Sequence, residues 1–217
     1  MEEAELDGSE LGTKEYWESS YTREIGNYKS HGDVGEIWFD EDSQQRVVDW
    51  LLKQEQIDKQ TARVLDLGCG NGMFLVALAN EGYAQLTGVD YSPKAIELAK
   101  SIAKDHDLTI SYNVADLTLP QTDLGSYKVV HDKGTYDAVS LCPDNAKEKR
   151  SLYLATVEHL LHDSDSLFII TSCNWTEDEL VQSFADKFIK HHTIPTPTFK
   201  FGGKVGSVVT SVVFRKR

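Results

Sequence analysis

Cysteine is scarce in this 217-residue chain: only Cys69, Cys142 and Cys173 occur, with no CxxC pair among them. An odd, widely spaced set excludes a disulfide framework and a zinc site and reads as reduced thiols. Long apolar runs are missing too, none approaching the roughly eighteen residues of a membrane span, so no membrane partner is expected. The first residues, Met1-Glu2-Glu3-Ala4-Glu5, are acidic where a secretory or mitochondrial leader is basic. A soluble protein inside the cell is expected, in the cytoplasm, with the nucleus also open. Basic residues are in deficit, 22 against 35 acidic, for a formal net charge of −13. In the first fifteen residues, Glu2, Glu3, Glu5, Asp7, Glu10 and Glu15 face only Lys14. A binder of phosphate backbones carries the opposite bias, so no direct nucleic-acid partner is expected. The acidity suits a basic partner or, equally, plain solubility. His159 and His162 stand three apart with no third ligand at hand, so no metal is expected either.

Residues 1–12 lack apolar periodicity and read as a mobile acidic tail; residues 13–217 read as one domain, with a helical cap over about 13–60. Thr13 is a plausible N-cap for a helix whose apolar face is Trp17, Tyr21, Ile25 and Tyr28. Asp42 or Ser43 can cap a second helix built on Val47, Val48, Leu51 and Leu52. From Arg63 onward strands alternate with helices: strands over 64–67, 86–90, 109–114, 127–131 and 167–171, helices over 73–80, 93–106, 145–161 and 176–188. Phe199–Phe201 and Val208–Phe214 around Gly202-Gly203 read as an antiparallel hairpin that adds a strand to one edge. His191-His192 and Arg215-Lys216-Arg217 read as solvated edge residues. The fold class is therefore α/β: a Rossmann-like, seven-stranded, mostly parallel sheet with an antiparallel C-terminal strand and helices on both faces.

The chemistry concentrates where the first strand turns into a helix, at Asp66-Leu67-Gly68-Cys69-Gly70-Asn71-Gly72. Gly68 and Gly70 let a ligand approach the backbone, Gly72 allows tight helix packing, and Cys69 reads as a small packing residue. A dinucleotide fingerprint is G-x-G-x-x-G; here the spacing is G-x-G-x-G, and Met73 stands where the third glycine belongs. Asp66 would repel a pyrophosphate and welcome a cationic amino-acid end, which S-adenosylmethionine has. Asp90 closes the second strand, where an acid accepts hydrogen bonds from ribose hydroxyls. Asp116, with Leu117 beside it, follows the third strand, where a carboxylate can take an adenine amino hydrogen. Any one of these acids alone could be a helix cap. Three at successive strand ends after a glycine loop favour a methyl donor over a nicotinamide.

From about Arg63 to Arg217 the chain resembles the seven-β-strand, class I S-adenosylmethionine-dependent methyltransferases. Within them it resembles the lysine methyltransferases of translation elongation factor 1-alpha. That closer likeness rests on Tyr16-Trp17-Glu18, His31-Gly32-Asp33-Val34-Gly35-Glu36-Ile37-Trp38-Phe39, Asp132-Lys133-Gly134-Thr135-Tyr136-Asp137-Ala138, Cys173-Asn174-Trp175-Thr176 and the segment from Thr196 to Gly203. The resemblance implies S-adenosyl-L-methionine as cofactor, S-adenosyl-L-homocysteine as product, and elongation factor 1-alpha as protein substrate. The cofactor set it implies is Asp66, Gly68, Cys69, Gly70, Gly72, Asp90, Tyr91, Asp116, Leu117 and Asp132. Methyltransferases of amide and nucleobase nitrogens share an Asn/Asp-Pro-Pro-Tyr/Phe signature at the fourth strand; Asp132-Lys133-Gly134-Thr135 replaces it here and favours a more nucleophilic nitrogen.

A lysine nucleophile must lose a proton, which costs about 4–5 kcal/mol at pH 7. Asp132 is the candidate proton acceptor, with capping of the following turn as the competing reading. Tyr136, Trp38 and Phe39 are candidates for a channel wall holding the amine, against simple packing. The Trp17/Tyr21 helix is read as a lid over the cofactor or as cover for one sheet face. A small-molecule methyltransferase and a non-catalytic cofactor-binding scaffold are the alternative functions, and a monomer is expected.

Overall fold

The computed structural model describes residues 5–119, 124–201 and 204–217. Helix α1 (Lys14–His31) starts at Thr13, whose hydroxyl accepts the Tyr16 N–H, and ends on Gly32 at φ 73. Its Tyr21 and Ile25 pack with Leu98 and Ile102 of α4 (Pro93–Asp105), fixing the helical cap to the sheet layer. Helix α2 (Glu41–Leu51) is capped by Asp40, which accepts the Ser43 N–H at 2.6 Å, rather than by Asp42 or Ser43.

The strands are β1 (Arg63–Leu67), β2 (Gln85–Asp90), β3 (Ser111–Val114), β4 (Val129–Lys133) and β5 (Leu167–Ser172), followed later by β6 (Phe188–Ile194) and β9 (Thr210–Lys216). They form one seven-stranded sheet in the order β3-β2-β1-β4-β5-β9-β6, with β9 antiparallel to both neighbours. Successive strand residues serve opposite faces. Val64, Val129, Leu167, Ile169 and Val213 pack toward α2, α3 (Met73–Asn80) and α4; Leu65, Val130, Phe168, Ile170 and Phe214 pack toward α6 (Ala146–Leu160) and α7 (Glu177–Phe184). Each fully buried Phe or Leu contributes about 1.5–3 kcal/mol. Two-sided burial also explains why these strands read as continuous apolar runs.

The C-terminal region departs from the expected edge hairpin. Residues Phe188–Ile194, expected to be helix end and solvated edge, form the edge strand β6, and β9 lies between it and β5. The hairpin exists as a separate ribbon of β7 (Thr198–Phe201) and β8 (Lys204–Ser207), while its Gly202-Gly203 turn falls outside the described residues. Strand β6 escaped detection because Ile189, Lys190, His191 and His192 are all exposed and its register shifts between Lys190 and His192, so no apolar alternation marks it. Strand β4 begins two residues later than expected and ends on Lys133, and a short helix α5 (Thr135–Ser140) follows at once.

Residues 5–12 also depart from the expected tail. Ser9 donates its N–H to Leu141 O at 2.9 Å, Glu5 pairs with Arg150 at 3.0 Å, and Leu6 packs on the core. Glu10–Gly12 form a 3-10 turn whose Leu11 carbonyl accepts the Trp17 indole N–H at 2.8 Å. Absence of apolar periodicity is poor evidence of mobility where a segment is held by backbone bonds and one ion pair.

Candidate active site

A cavity of about 380 Å³ opens at the carboxyl ends of β1, β2, β3 and β4, where strand order reverses between β1 and β4. Open α/β sheets hold ligands at that position, and the volume is in the range of roughly 300–1,000 Å³ usual for small-molecule sites. The glycine loop is its floor. Gly68 and Gly70 sit at φ 60 and 52, in the left-handed region. A Cβ on Gly68 would overlap the Thr135 hydroxyl, which donates to Leu67 O at 2.7 Å; one on Gly70 would stand 2.7 Å from the Tyr21 hydroxyl. Cys69 lines the floor between them, its thiol pKa raised by burial and the nearby Asp90 and Asp66 carboxylates.

At the end of the cavity bounded by β2 and β3, Asp90 accepts the Gly70 N–H at 3.1 Å and the Ser92 N–H at 2.9 Å, one on each oxygen. Burial raises its pKa to about 6, against the lowering effect of those two bonds. Asp116 accepts the Thr118 N–H and hydroxyl at 2.9 and 2.7 Å, and Leu117 and Tyr91 complete the wall. The Tyr91 hydroxyl donates to Thr13 O at 3.2 Å, which brings residues 12–15 over this end. At the opposite end stand Asn71, Lys133, Gly134 and Thr135, with Glu36 and Trp38 from the loop after α1. Trp17 spans toward them, its ring 4.9 Å from that of Trp38.

Five residues of the expected site lie elsewhere. Asp66 is buried behind the glycine loop, its Oδ1 2.7 Å from His131 Nδ1; His131 is fully buried and stacked 3.6 Å from the Phe74 ring. Gly72 faces Tyr112 and Ala99 and serves helix packing rather than the cavity. Asp132 is fully buried and turned away: it accepts the Thr135 and Tyr136 N–H groups at 2.8 and 2.9 Å and the Tyr153 hydroxyl. These bonds make it the cap of α5, the competing reading, rather than a proton acceptor facing the cavity. Burial, aided by Asp137, raises its pKa to about 7 against those hydrogen bonds. Tyr136 packs among Tyr153, Trp175 and Phe184, away from the cavity. Phe39 lies against Gly134, where an added Cβ would meet its ring at 3.1 Å, and leaves Trp38 alone of the pair on the wall.

Sequence reasoning missed Asn71, Lys133, Glu36 and the closing residues Thr13–Glu15. Asn71, Lys133 and Glu36 sit inside the glycine-loop, strand-four and His31–Phe39 motifs, which was the available signal. Thr13–Glu15 reach the cavity through loop geometry that local pattern does not encode.

The lining fits S-adenosylmethionine and does not fit a pyrophosphate. Glu15, Glu36, Asp90, Asp116 and Asp144 outnumber Lys14, Lys133 and Lys149, and Asp66 adds a carboxylate behind the very loop where phosphates would rest. Hydroxyl donors of a ribose can reach Asp90, and a bare glycine floor can take the amino-acid end.

Comparison with known proteins agrees. The family described as a methyltransferase domain matches residues 58–206. EEF1A lysine methyltransferase 2 of Mus musculus is 46% identical over 96% of this chain and 85% of its own length. Protein-lysine N-methyltransferase EFM4 of Saccharomyces cerevisiae is 39% identical over 99% of this chain and 98% of its own. Among solved structures, the N-methyltransferase NodS of Bradyrhizobium japonicum with S-adenosyl-L-homocysteine superposes with a TM-score of 0.67 over 92% of this chain and 98% of that one; at 15% identity it speaks to fold alone. The chain is an S-adenosylmethionine-dependent enzyme of the class I fold and belongs to the protein-lysine methyltransferase family of these mouse and yeast relatives.

Proposed function

We propose that this enzyme transfers methyl from S-adenosylmethionine to a lysine side chain of translation elongation factor 1-alpha. The observation that carries the substrate is likeness running the length of the chain, cap and C-terminal region included, to relatives named for that elongation factor. The acidic chain, at −13, is compatible with docking a basic protein surface.

When bound, S-adenosylmethionine supplies an electrophilic methyl on a sulfonium, so that a C–N bond forms as the C–S bond breaks. Asp90 and Asp116 would hold the nucleoside end, and Gly68–Gly70 the amino-acid end. Lys133, Gly134, Thr135 and Trp38, at the opposite end of the cavity, would then face the incoming lysine. Alignment of nucleophile and leaving group is the main work left to the protein, and near-attack placement can contribute several kcal/mol. The Trp38 and Trp17 rings form an apolar wall at this end. Desolvation beside them lowers the cost of presenting the lysine as a neutral amine. Lys133 shows the same effect, its pKa lowered by burial in spite of nearby Asp66 and Asp132. Asp132 acts indirectly, by capping α5 so that Gly134 and Thr135 keep their place at the wall.

Labelled S-adenosylmethionine, cytosolic extract depleted of endogenous methylation, and the wild type beside Gly70→Arg test the reading. A single protein band at the size of the elongation factor, carrying methyl-lysine by mass spectrometry and absent with the variant, is expected. Label in the low-mass fraction alone would replace the protein substrate with a small molecule, and cofactor binding without any transfer would leave a scaffold.

A further inference from the structure

The loop between α1 and α2 is held more firmly than a connector needs. The Asn71 side chain, from the glycine loop, donates to Val34 O at 3.0 Å and Glu36 O at 3.2 Å. Lys133, from the end of β4, donates to Trp38 O at 2.9 Å. The next two residues, Phe39 and Asp40, are both left-handed, at φ 63 and 68, a conformation that a bulky side chain rarely adopts. Strain of this kind persists only where the surroundings over-determine it. All three anchoring bonds end on backbone carbonyls. They leave the side chains of Glu36 and Trp38 free to face the cavity, which both line.

Carboxylates are unevenly divided along that cavity. Asp90 and Asp116 are engaged by backbone and hydroxyl donors at the β2–β3 end. Glu15 acts on Tyr91 there, and Asp144 acts on Lys149, which in turn feels Asp116. At the opposite end Asp66 and Asp132 are buried outside the lining, and Glu36 is the cavity-lining carboxylate among the described residues. It is exposed, its carboxylate makes no hydrogen bond or ion pair among the described residues, and it lies close enough to act electrostatically on Lys133.

We propose that Glu36 is the substrate-binding carboxylate that receives the incoming lysine ammonium, with Asn71 and Lys133 as positioning residues that hold its loop. This rests on the lysine reading above. The ammonium meets Glu36 at the rim and passes its proton by way of that carboxylate to water. The neutral amine then advances along Trp38 to the methyl, and the methylated product carries the positive charge that the sulfonium gave up. An exposed carboxylate suits capture better than a buried one, because the same attraction that binds an ammonium opposes its deprotonation.

The test compares wild type, Glu36→Gln, Glu36→Asp and Glu55→Gln, the last an exposed residue before β1 that matches the change in net charge. Three quantities are read: KM and kcat for the elongation factor, affinity of the S-adenosyl-L-homocysteine-loaded enzyme for the elongation factor by biolayer interferometry, and Kd for S-adenosyl-L-homocysteine by calorimetry. Glu36→Gln is expected to raise KM and weaken protein binding at least tenfold, with the Kd for S-adenosyl-L-homocysteine within twofold of wild type. Glu36→Asp should recover part of the loss, and Glu55→Gln should behave as wild type. Glu36→Gln indistinguishable from Glu55→Gln overturns the assignment while wild-type lysine labelling stands. Equal loss of affinity for S-adenosyl-L-homocysteine also overturns it, in favour of a structural role. If wild type labels a lysine of another extract protein, the same comparison runs on that protein; if it labels no lysine at all, the functional reading falls and the role of Glu36 with it.

Discussion

Gly68 has no room for a side chain on either count that matters, left-handed backbone and the Thr135 hydroxyl directly above it. Gly68→Ala is expected to cost about 1–3 kcal/mol through backbone strain. It should also weaken S-adenosyl-L-homocysteine binding at least tenfold, read by calorimetry beside a thermal melt. Asp132 carries a different signature. Its pKa stands at about 7 in the fold, chiefly through burial, and near 3.9 in the unfolded chain. Between those values the native state holds a proton that the unfolded state has released, so stability rises as pH falls from 7 toward 4 and declines as pH rises. Measured against Asp132→Asn, which does not titrate there, wild type should gain unfolding free energy across that window. Urea titrations at several pH values check it, and the opposite slope would show a carboxylate that the fold prefers ionised.

The helical cap and the segment before it behave as parts of the site rather than as appendages. Trp17 donates its indole N–H to Leu11 O and lies tilted against Trp38, so the turn at Glu10–Gly12 closes the cavity through one side-chain bond. Trp17→Phe keeps the ring and removes that donor. A loss of about 1 kcal/mol is expected, roughly a fivefold faster release of S-adenosyl-L-homocysteine by stopped flow. The loop after α1 rests on Asn71 in the same way. Asn71→Ala should speed amide hydrogen exchange over residues 33–39, while the protection of β1 and β2 is retained. Uniform loss of protection across the sheet would instead mean that Asn71 supports the whole fold.

Charge acts over the molecule as a whole. With a formal −13, attraction to a basic protein extends over a Debye length of about 10 Å at 0.1 M salt and contracts to about 3 Å at 1 M. KM for the elongation factor should therefore rise several-fold between 50 and 500 mM salt, while KM for S-adenosylmethionine, whose proposed ribose partner Asp90 is buried, changes little. A KM for the protein that ignores salt would place recognition in short-range contacts alone.

Much of this protein was decided within single stretches of sequence. Met73–Asn80, Pro93–Asp105 and the strands at 63–67 and 85–90 follow from apolar period, caps and short apolar runs, all local properties. The spacing Gly68-Cys69-Gly70-Asn71-Gly72 with Asp66 behind it selected the methyl donor, because glycine clearance and carboxylate charge are properties of residue type. Tertiary structure decided what depends on direction. Asp132 and Tyr136 sit in the motif nearest the chemistry, yet the turn into α5 points one at its own helix and the other into the core. Strand β6 exists because β9 offers it a partner, since its own exposed residues carry no pattern. Glu36, Trp38 and Thr13–Glu15 reach the cavity only because hydrogen bonds from distant residues fold their loops over it. Side-chain orientation and long-range pairing are set by the packed whole, and no local window contains them.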